Sequence, residues 1–266
     1  MTDERQEQLV ILEKNEDQGV AWIRLNRPAK RNAMNQMARD QLIAALSACG
    51  TETRVIILIG SGKAFCAGLD LKEKPSEVDP ERVNRSMANG YNSWVLVNET
   101  IRRHHAIFIA AVNGFAVGGG LTLVHNCELA VSSTEGQFGM PELGIGKFPG
   151  YAGPATMRRI LPKHAAQMVL TAQNIDAETA LKWGMVNRVV APDALEPTAS
   201  ELATQIASFD SVVLDHAKKG LHDLELMSWD RGLIYGGQIG HLIRGQTNVA
   251  KQRVANFLGS DEEVKS

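Results

Sequence analysis

Three consecutive glycines, Gly118–Gly120, stand between the apolar run IFIAAV (Ile107–Val112) and the helical pattern LTLVHN (Leu121–Asn126). Glycine in a helix costs about 0.5–1 kcal/mol against alanine, so three together where a buried strand becomes a helix imply close approach of something to the backbone. Such a turn demands a strand before it and a helix after it. The rest of the chain repeats that alternation. VAWIRL (Val20–Leu25) leads through NRPAKRNAMN to a helix near Met34–Cys49, and RVIILIG (Arg54–Gly60) precedes the small-residue loop SGKAFCAGLDLKE. A helical stretch from about Pro80 to His104 feeds IFIAAV, and the strand ELAVSS (Glu128–Ser133) follows the glycine-headed helix. Short β-branched runs alternating with longer helical patterns predict an α/β fold.

Strand signals stop near Pro192. Residues 195–258 read as helices, with breaks expected near Ser208–Asp210 and at Gly220. The predicted division is therefore a core over 1–195 and a helical region over 196–266, of the kind that packs on its core or on a sister subunit.

Charge excludes some partners. The 266 residues carry 28 Lys plus Arg against 30 Asp plus Glu, a net charge of -2, which argues against nucleic acid or an anionic membrane as the partner. No apolar run approaches the roughly 20 residues of a membrane span, and the charged start MTDERQEQL lacks a signal core. Cys49, Cys66 and Cys127 have no paired or metal-type spacing and read as small buried apolar residues of a cytoplasmic protein.

Several generic sites are absent. GSGK (Gly60–Lys63) lacks the remainder of a phosphate-binding loop, GIGKFPG has the wrong spacing for a dinucleotide fingerprint, and there is no GxSxG or HExxH. His125 and Cys127 are two apart without partners at metal spacing, so no metal is expected. What remains is two glycine-containing loops, each after a buried strand, and a carboxylate in GQFGMPELGIGKFPG (Gly136–Gly150). Two such loops can aim two backbone N–H groups at one point, which is what an oxyanion hole requires. The competing reading is that the glycines only permit close packing of helix and strand.

AFCAGLDLKE, AVNGFAVGGGLTL, QFGMPELGIGKFPG and the early LNRPAKRNAMN, in this order, resemble the crotonase family, the enoyl-CoA hydratase/isomerase superfamily, from about Val20 to the C-terminal helices. The resemblance implies a spiral of ββα units and a C-terminal helical region that drives assembly into a homotrimer or a dimer of trimers. It implies an acyl-CoA thioester as substrate, with coenzyme A entering as part of that substrate and no separate cofactor. It puts the oxyanion N–H groups on Leu69 and Gly119 and an acid/base carboxylate on Glu142. The substrate-binding set it implies is Lys30, Arg31, Ala33, Ala67, Gly68, Asp70, Leu71, Lys72, Gly118, Pro141 and Tyr235. Lys30, Arg31 and Lys72 suit the phosphates of coenzyme A, Asp70 suits orientation of its loop, and Tyr235 suits either an aromatic substrate or a subunit contact.

One position departs from the hydratase pattern. Hydratases of the superfamily commonly carry a glutamate two residues after the last glycine of the GGG element, where this chain has Thr122. A threonine cannot hold a proton reversibly near neutral pH, so Glu142 is left as a single acid/base. Local resemblance to hydroxycinnamoyl-CoA hydratase-lyases, in AGLDLKE, PELGIGKFPG and HDLELMSWDRGLIY, keeps retro-aldol cleavage of an aromatic acyl-CoA open. Hydrolysis of a CoA ester and non-catalytic acyl-CoA binding also remain open. The acyl wall is expected from residues 75–100 and the C-terminal helices.

Overall fold

The structure is a computed structural model that describes residues 7–73 and 92–263, with side chains described through residue 257. The expected helix over 80–104 is described only from residue 92 onward. Two compact units are present, Met1–Ile206 and Ala207–Ser266.

In the first unit the strands are β1 (Val10–Asn15), β2 (Val20–Leu25), β3 (Val55–Gly60), β4 (Ala64–Cys66), β5 (Ile107–Val112), β6 (Phe115–Val117), β7 (Leu129–Ser133), β8 (Gln137–Gly139), β9 (Ile175–Asp176) and β10 (Arg188–Val190). They form a six-stranded sheet in the order β1-β2-β3-β5-β7-β10 and a four-stranded sheet in the order β4-β6-β8-β9. Each of the consecutive pairs β3/β4, β5/β6 and β7/β8 contributes one strand to each sheet. The chain thus winds as repeated ββα units, the spiral that the resemblance implied. VIILIG and IFIAAV are buried at every position, as strands covered on both faces require.

The intervening helices are α1 (Gln36–Ser47), α2 (Ser93–Arg103), α3 (Gly119–Asn126), α4 (Ala152–Met157), α5 (Pro162–Thr171), α6 (Ala177–Lys182) and α7 (Leu195–Ala207). Asn35 and Asn92 cap α1 and α2 through their side-chain oxygens, satisfying amides that the first turn leaves unpaired. Cys49, Cys66 and Cys127 are buried.

The second unit holds α8 (Ser211–Leu224), α9 (Trp229–Gln246) and α10 (Val249–Glu263). The break expected at Gly220 is not there: Gly220 lies inside α8, and the turn comes after Leu224. A Cβ at Gly220 would stand 2.8 Å from Ile239 Cδ1, so this glycine lets α8 and α9 approach rather than ending a helix.

Candidate active site

β4, β6 and β8 are adjacent and parallel, with Cys66 opposite Ala116 and Val117 opposite Gly139. Their carboxyl ends therefore deliver three segments to one place: Ala67-Gly68-Leu69 after β4, Gly118-Gly119 after β6, and Met140-Pro141-Glu142 after β8. Ligands of α/β folds bind outside strand carboxyl ends for this reason. A cavity of about 530 Å³ opens there. Its wall includes Ala67, Gly68, Leu69, Leu71, Gly118, Gly119, Pro141 and Glu142, all expected from the sequence.

The glycines have separate tasks. Gly68 has φ +85°, and a Cβ there would lie 2.8 Å from the nitrogen of Gly119, so the two amide-bearing loops touch through backbone alone. Gly118 has φ +54°, and its missing side chain leaves room for Glu142 Oε1 at 3.1 Å from the Cβ position. A Cβ on Gly120 would fall 1.9 Å from the carbonyl oxygen of Cys66, so α3 starts pressed against β4. Buried Trp94 supports the turn from beneath, with Cζ2 at 3.0 Å from the Cβ position of Gly119. Close packing of the two loops is what brings Leu69 and Gly119 into the wall of one cavity.

The amides of Leu69 and Gly119 donate to no backbone acceptor among the described residues. Leu69 escapes pairing because its neighbours take the bonds: Met34 N–H donates to Gly68 O (2.8 Å) and Asp70 N–H to Met34 O (3.2 Å). Gly119 opens α3, where helix geometry leaves the first N–H groups without an internal partner.

Glu142 follows Pro141 on a short 3-10 turn, Pro141–Ile145, and is half-buried in the cavity wall. Its Oε2 is buried with no hydrogen-bond partner among the described residues. Burial raises its pKa above the ordinary carboxylate range, against a smaller lowering by its own backbone N–H. Among the described residues it is the only carboxylate that lines the cavity.

Thr122 is buried outside the wall, and its hydroxyl donates to Gly118 O at 3.5 Å, within its own helix. Asp70 also lies outside the wall, as do Lys30, Arg31, Ala33 and Lys72. Burial by itself would raise the Asp70 pKa, but the Arg27 hydrogen bond at 2.6 Å, the Lys72 N–H and the charges of Arg27 and Lys30 hold it low. Arg27 also donates to Ala33 O, so Asp70 ties its loop to the 27–34 loop. Lys30 and Lys72 are exposed on these loops, and the Arg31 guanidinium lies 5.3 Å from the Phe115 ring centre. Tyr235 belongs to the second unit, where its hydroxyl donates to Asp223.

Sequence reasoning missed two groups of residues. Asn32, at φ 56°, anchors the 27–34 loop: it accepts from Arg27 N–H and donates to Ser61 O and Ala64 O. The signal was asparagine's tolerance of left-handed backbone in RNAM. The segment after Glu142 supplies the remaining wall, Ile145, Lys147, Phe148, Gly150 and Tyr151. Its signal was apolar residues set among glycines in GIGKFPGY. Of the acyl wall expected from residues 75–100, positions 75–91 lie outside the described residues.

A family model described as enoyl-CoA hydratase/isomerase matches residues 15–227. The short-chain-enoyl-CoA hydratase of Clostridium acetobutylicum is 35% identical over 220 residues, 80% of this chain and 80% of that protein. The crotonyl-CoA hydratase of Syntrophomonas wolfei is 32% identical over 265 residues, 94% of this chain and 97% of that protein. The crystal structure of an enoyl-CoA hydratase from Mycobacterium smegmatis matches with a TM-score of 0.86 at 29% identity, covering 95% of this chain and 96% of that one. A ββα spiral whose cavity wall holds the Leu69 and Gly119 amides and one half-buried carboxylate, together with these likenesses, makes this chain a member of the enoyl-CoA hydratase/isomerase family and an enzyme of that superfamily.

Proposed function

We propose that the protein adds water across the 2,3 double bond of an enoyl-CoA thioester, with Glu142 as the single acid/base. The observation that carries this is a carboxylate, held above its usual pKa by burial, in the same cavity as the Leu69 and Gly119 amides. The thioester oxygen accepts from both N–H groups, which polarises the conjugated bond toward C3. Water attacks C3 while Glu142 takes one of its protons, leaving an enolate whose negative oxygen stays on the two amides. Protonated Glu142 then returns that proton to C2, which gives a 3-hydroxyacyl-CoA and restores the carboxylate. Each amide of such a hole contributes about 2.7–4 kcal/mol, and positioned acid/base transfer contributes about 100- to 10,000-fold. Lys30, Arg31 and Lys72 meet the phosphates of coenzyme A, while Thr122 transfers no proton.

The absence of a second carboxylate from the described cavity wall favours one other reading, transfer of a proton between C2 and C4 of a 3-enoyl-CoA by the same glutamate. Turnover of crotonyl-CoA, a 3-enoyl-CoA and feruloyl-CoA separates the cases. Hydration predicts a 3-hydroxy product from crotonyl-CoA. Consumption of the 3-enoyl thioester alone would mean isomerisation, of feruloyl-CoA alone a hydratase-lyase, and tight binding of all three without turnover a non-catalytic binder.

The pH dependence has a definite sign. Glu142 must be ionised to accept the first proton, so kcat/KM falls as pH falls through its raised pKa, and that acid limb lies above the 4.5 of an ordinary glutamate. A limb at or below the ordinary value in a pH–rate profile would contradict the burial argument.

The second unit exposes Trp229, Leu233, Ile234 and Phe257, a concentration of apolar surface that suits burial between copies of the chain. We infer a trimer, or two stacked trimers, built through this region. Light scattering at micromolar concentration is expected to give three or six times 29.0 kDa, and a stable monomer would contradict it. Three buried cysteines suit a reducing cytoplasm, and no described helix is long and apolar enough to cross a membrane.

A further inference from the structure

Tyr151 lines the cavity, and the state of its hydroxyl follows from its neighbour. Asn92 accepts the N–H groups of Trp94 and Val95, each at 3.0 Å, with its side-chain oxygen. That fixes which end of the amide is which, and its Nδ2 end donates to the Tyr151 hydroxyl oxygen. A phenol oxygen that already accepts keeps its one hydrogen to donate. Among the described residues no acceptor takes it. Lys147 lines the same cavity four residues earlier and makes no ion pair or hydrogen bond through its ammonium among the described residues. Burial rather than this cation governs Glu142, so the charge of Lys147 is not spent on the acid/base carboxyl.

We propose that the acyl group bears a carboxylate at its far end, bound by the Lys147 ammonium and the Tyr151 hydroxyl. This rests on reading the cavity as an acyl-CoA site. The surroundings suit a chain with an apolar middle and an anionic tip: Leu71, Ile145 and Phe148 line the cavity with the two donors. A plain alkyl end would strip water from an ammonium and a hydroxyl and return no acceptor. Coenzyme A phosphates already have Lys30, Arg31 and Lys72 on the loops joined by Arg27 and Asp70, whereas Lys147 comes from the separate segment after β8.

Calorimetric binding tests this without requiring turnover. Succinyl-, glutaryl- and adipyl-CoA are titrated beside butyryl-, pentanoyl- and hexanoyl-CoA and coenzyme A alone, into wild type, Lys147→Met and Tyr151→Phe. Wild type is expected to bind at least one dicarboxylyl thioester ~10-fold or more tighter than its plain counterpart, the size of one charge-assisted hydrogen bond. Lys147→Met removes that preference, Tyr151→Phe reduces it about threefold to tenfold, and neither weakens binding of coenzyme A alone. No preference in wild type, or a preference that survives Lys147→Met, overturns the proposal. So does an equal weakening of coenzyme A alone by Lys147→Met, which would assign that lysine to phosphate. Loss of hydration on the substrate panel with the binding preference intact would overturn only the reaction, so the two failures are distinguishable.

Discussion

Glu142→Gln is expected to lower turnover of an enoyl-CoA by about 100- to 10,000-fold while leaving acyl-CoA affinity within a few fold of wild type. Glutamine keeps the size of the side chain and its place in the cavity wall but holds no transferable proton. Since no other described carboxylate lines the cavity, no neighbour is placed to take over. Thr122→Ala is expected to cost less than about tenfold, because the threonine hydroxyl is turned back onto Gly118 O rather than into the cavity. Steady-state kinetics on both variants gives the comparison. A Glu142→Gln enzyme within a few fold of wild type, or a Thr122→Ala enzyme as impaired as Glu142→Gln, would contradict the assignment.

The second large effect is expected from a methyl group. Gly68→Ala puts a Cβ 2.8 Å from Gly119 N and 3.0 Å from Val117 O, at a residue whose φ of +85° already disfavours any side chain. Both contacts are with backbone, so relief must come from moving one amide-bearing loop away from the other. Misaligning one donor of an oxyanion hole costs about 100- to 1000-fold in kcat. The loss falls on kcat more than on affinity, because the charge that the amides hold is greatest in the transition state. Gly144→Ala is the control: no atom lies within 4 Å of its Cβ position, and turnover is expected to stay near wild type. Equal kinetics for the two variants would mean that the loops do not build the hole.

The parts of this site that could be read from the sequence are those whose chemistry restricts residue type at one position. Three glycines ahead of a helix announce close approach, and PELGIG announces a carboxylate on a turn that no solvated helix would contain. The α/β class was legible for a similar reason, since VIILIG and IFIAAV have no polar face to turn to water. Residues that act through a partner distant in sequence were not legible. Nothing near Tyr151 signals that Asn92 donates to it, and the bonds of Asn32 to Ser61 and Ala64 depend on how the spiral brings those turns together. Gly220 misled in the other direction. Its helix-breaking propensity was outweighed by packing against Ile239, a choice that only the fold makes visible.

A crystal structure with a bound enoyl-CoA or 3-hydroxyacyl-CoA would show how Leu69, Gly119 and Glu142 stand around one thioester. The thioester oxygen is expected about 2.7–3.1 Å from both amide nitrogens, with a Glu142 carboxylate oxygen within hydrogen-bond reach of the C3 hydroxyl or of C2. A thioester oxygen held by any other pair of donors, or a Glu142 carboxyl turned away from C2 and C3, would contradict it.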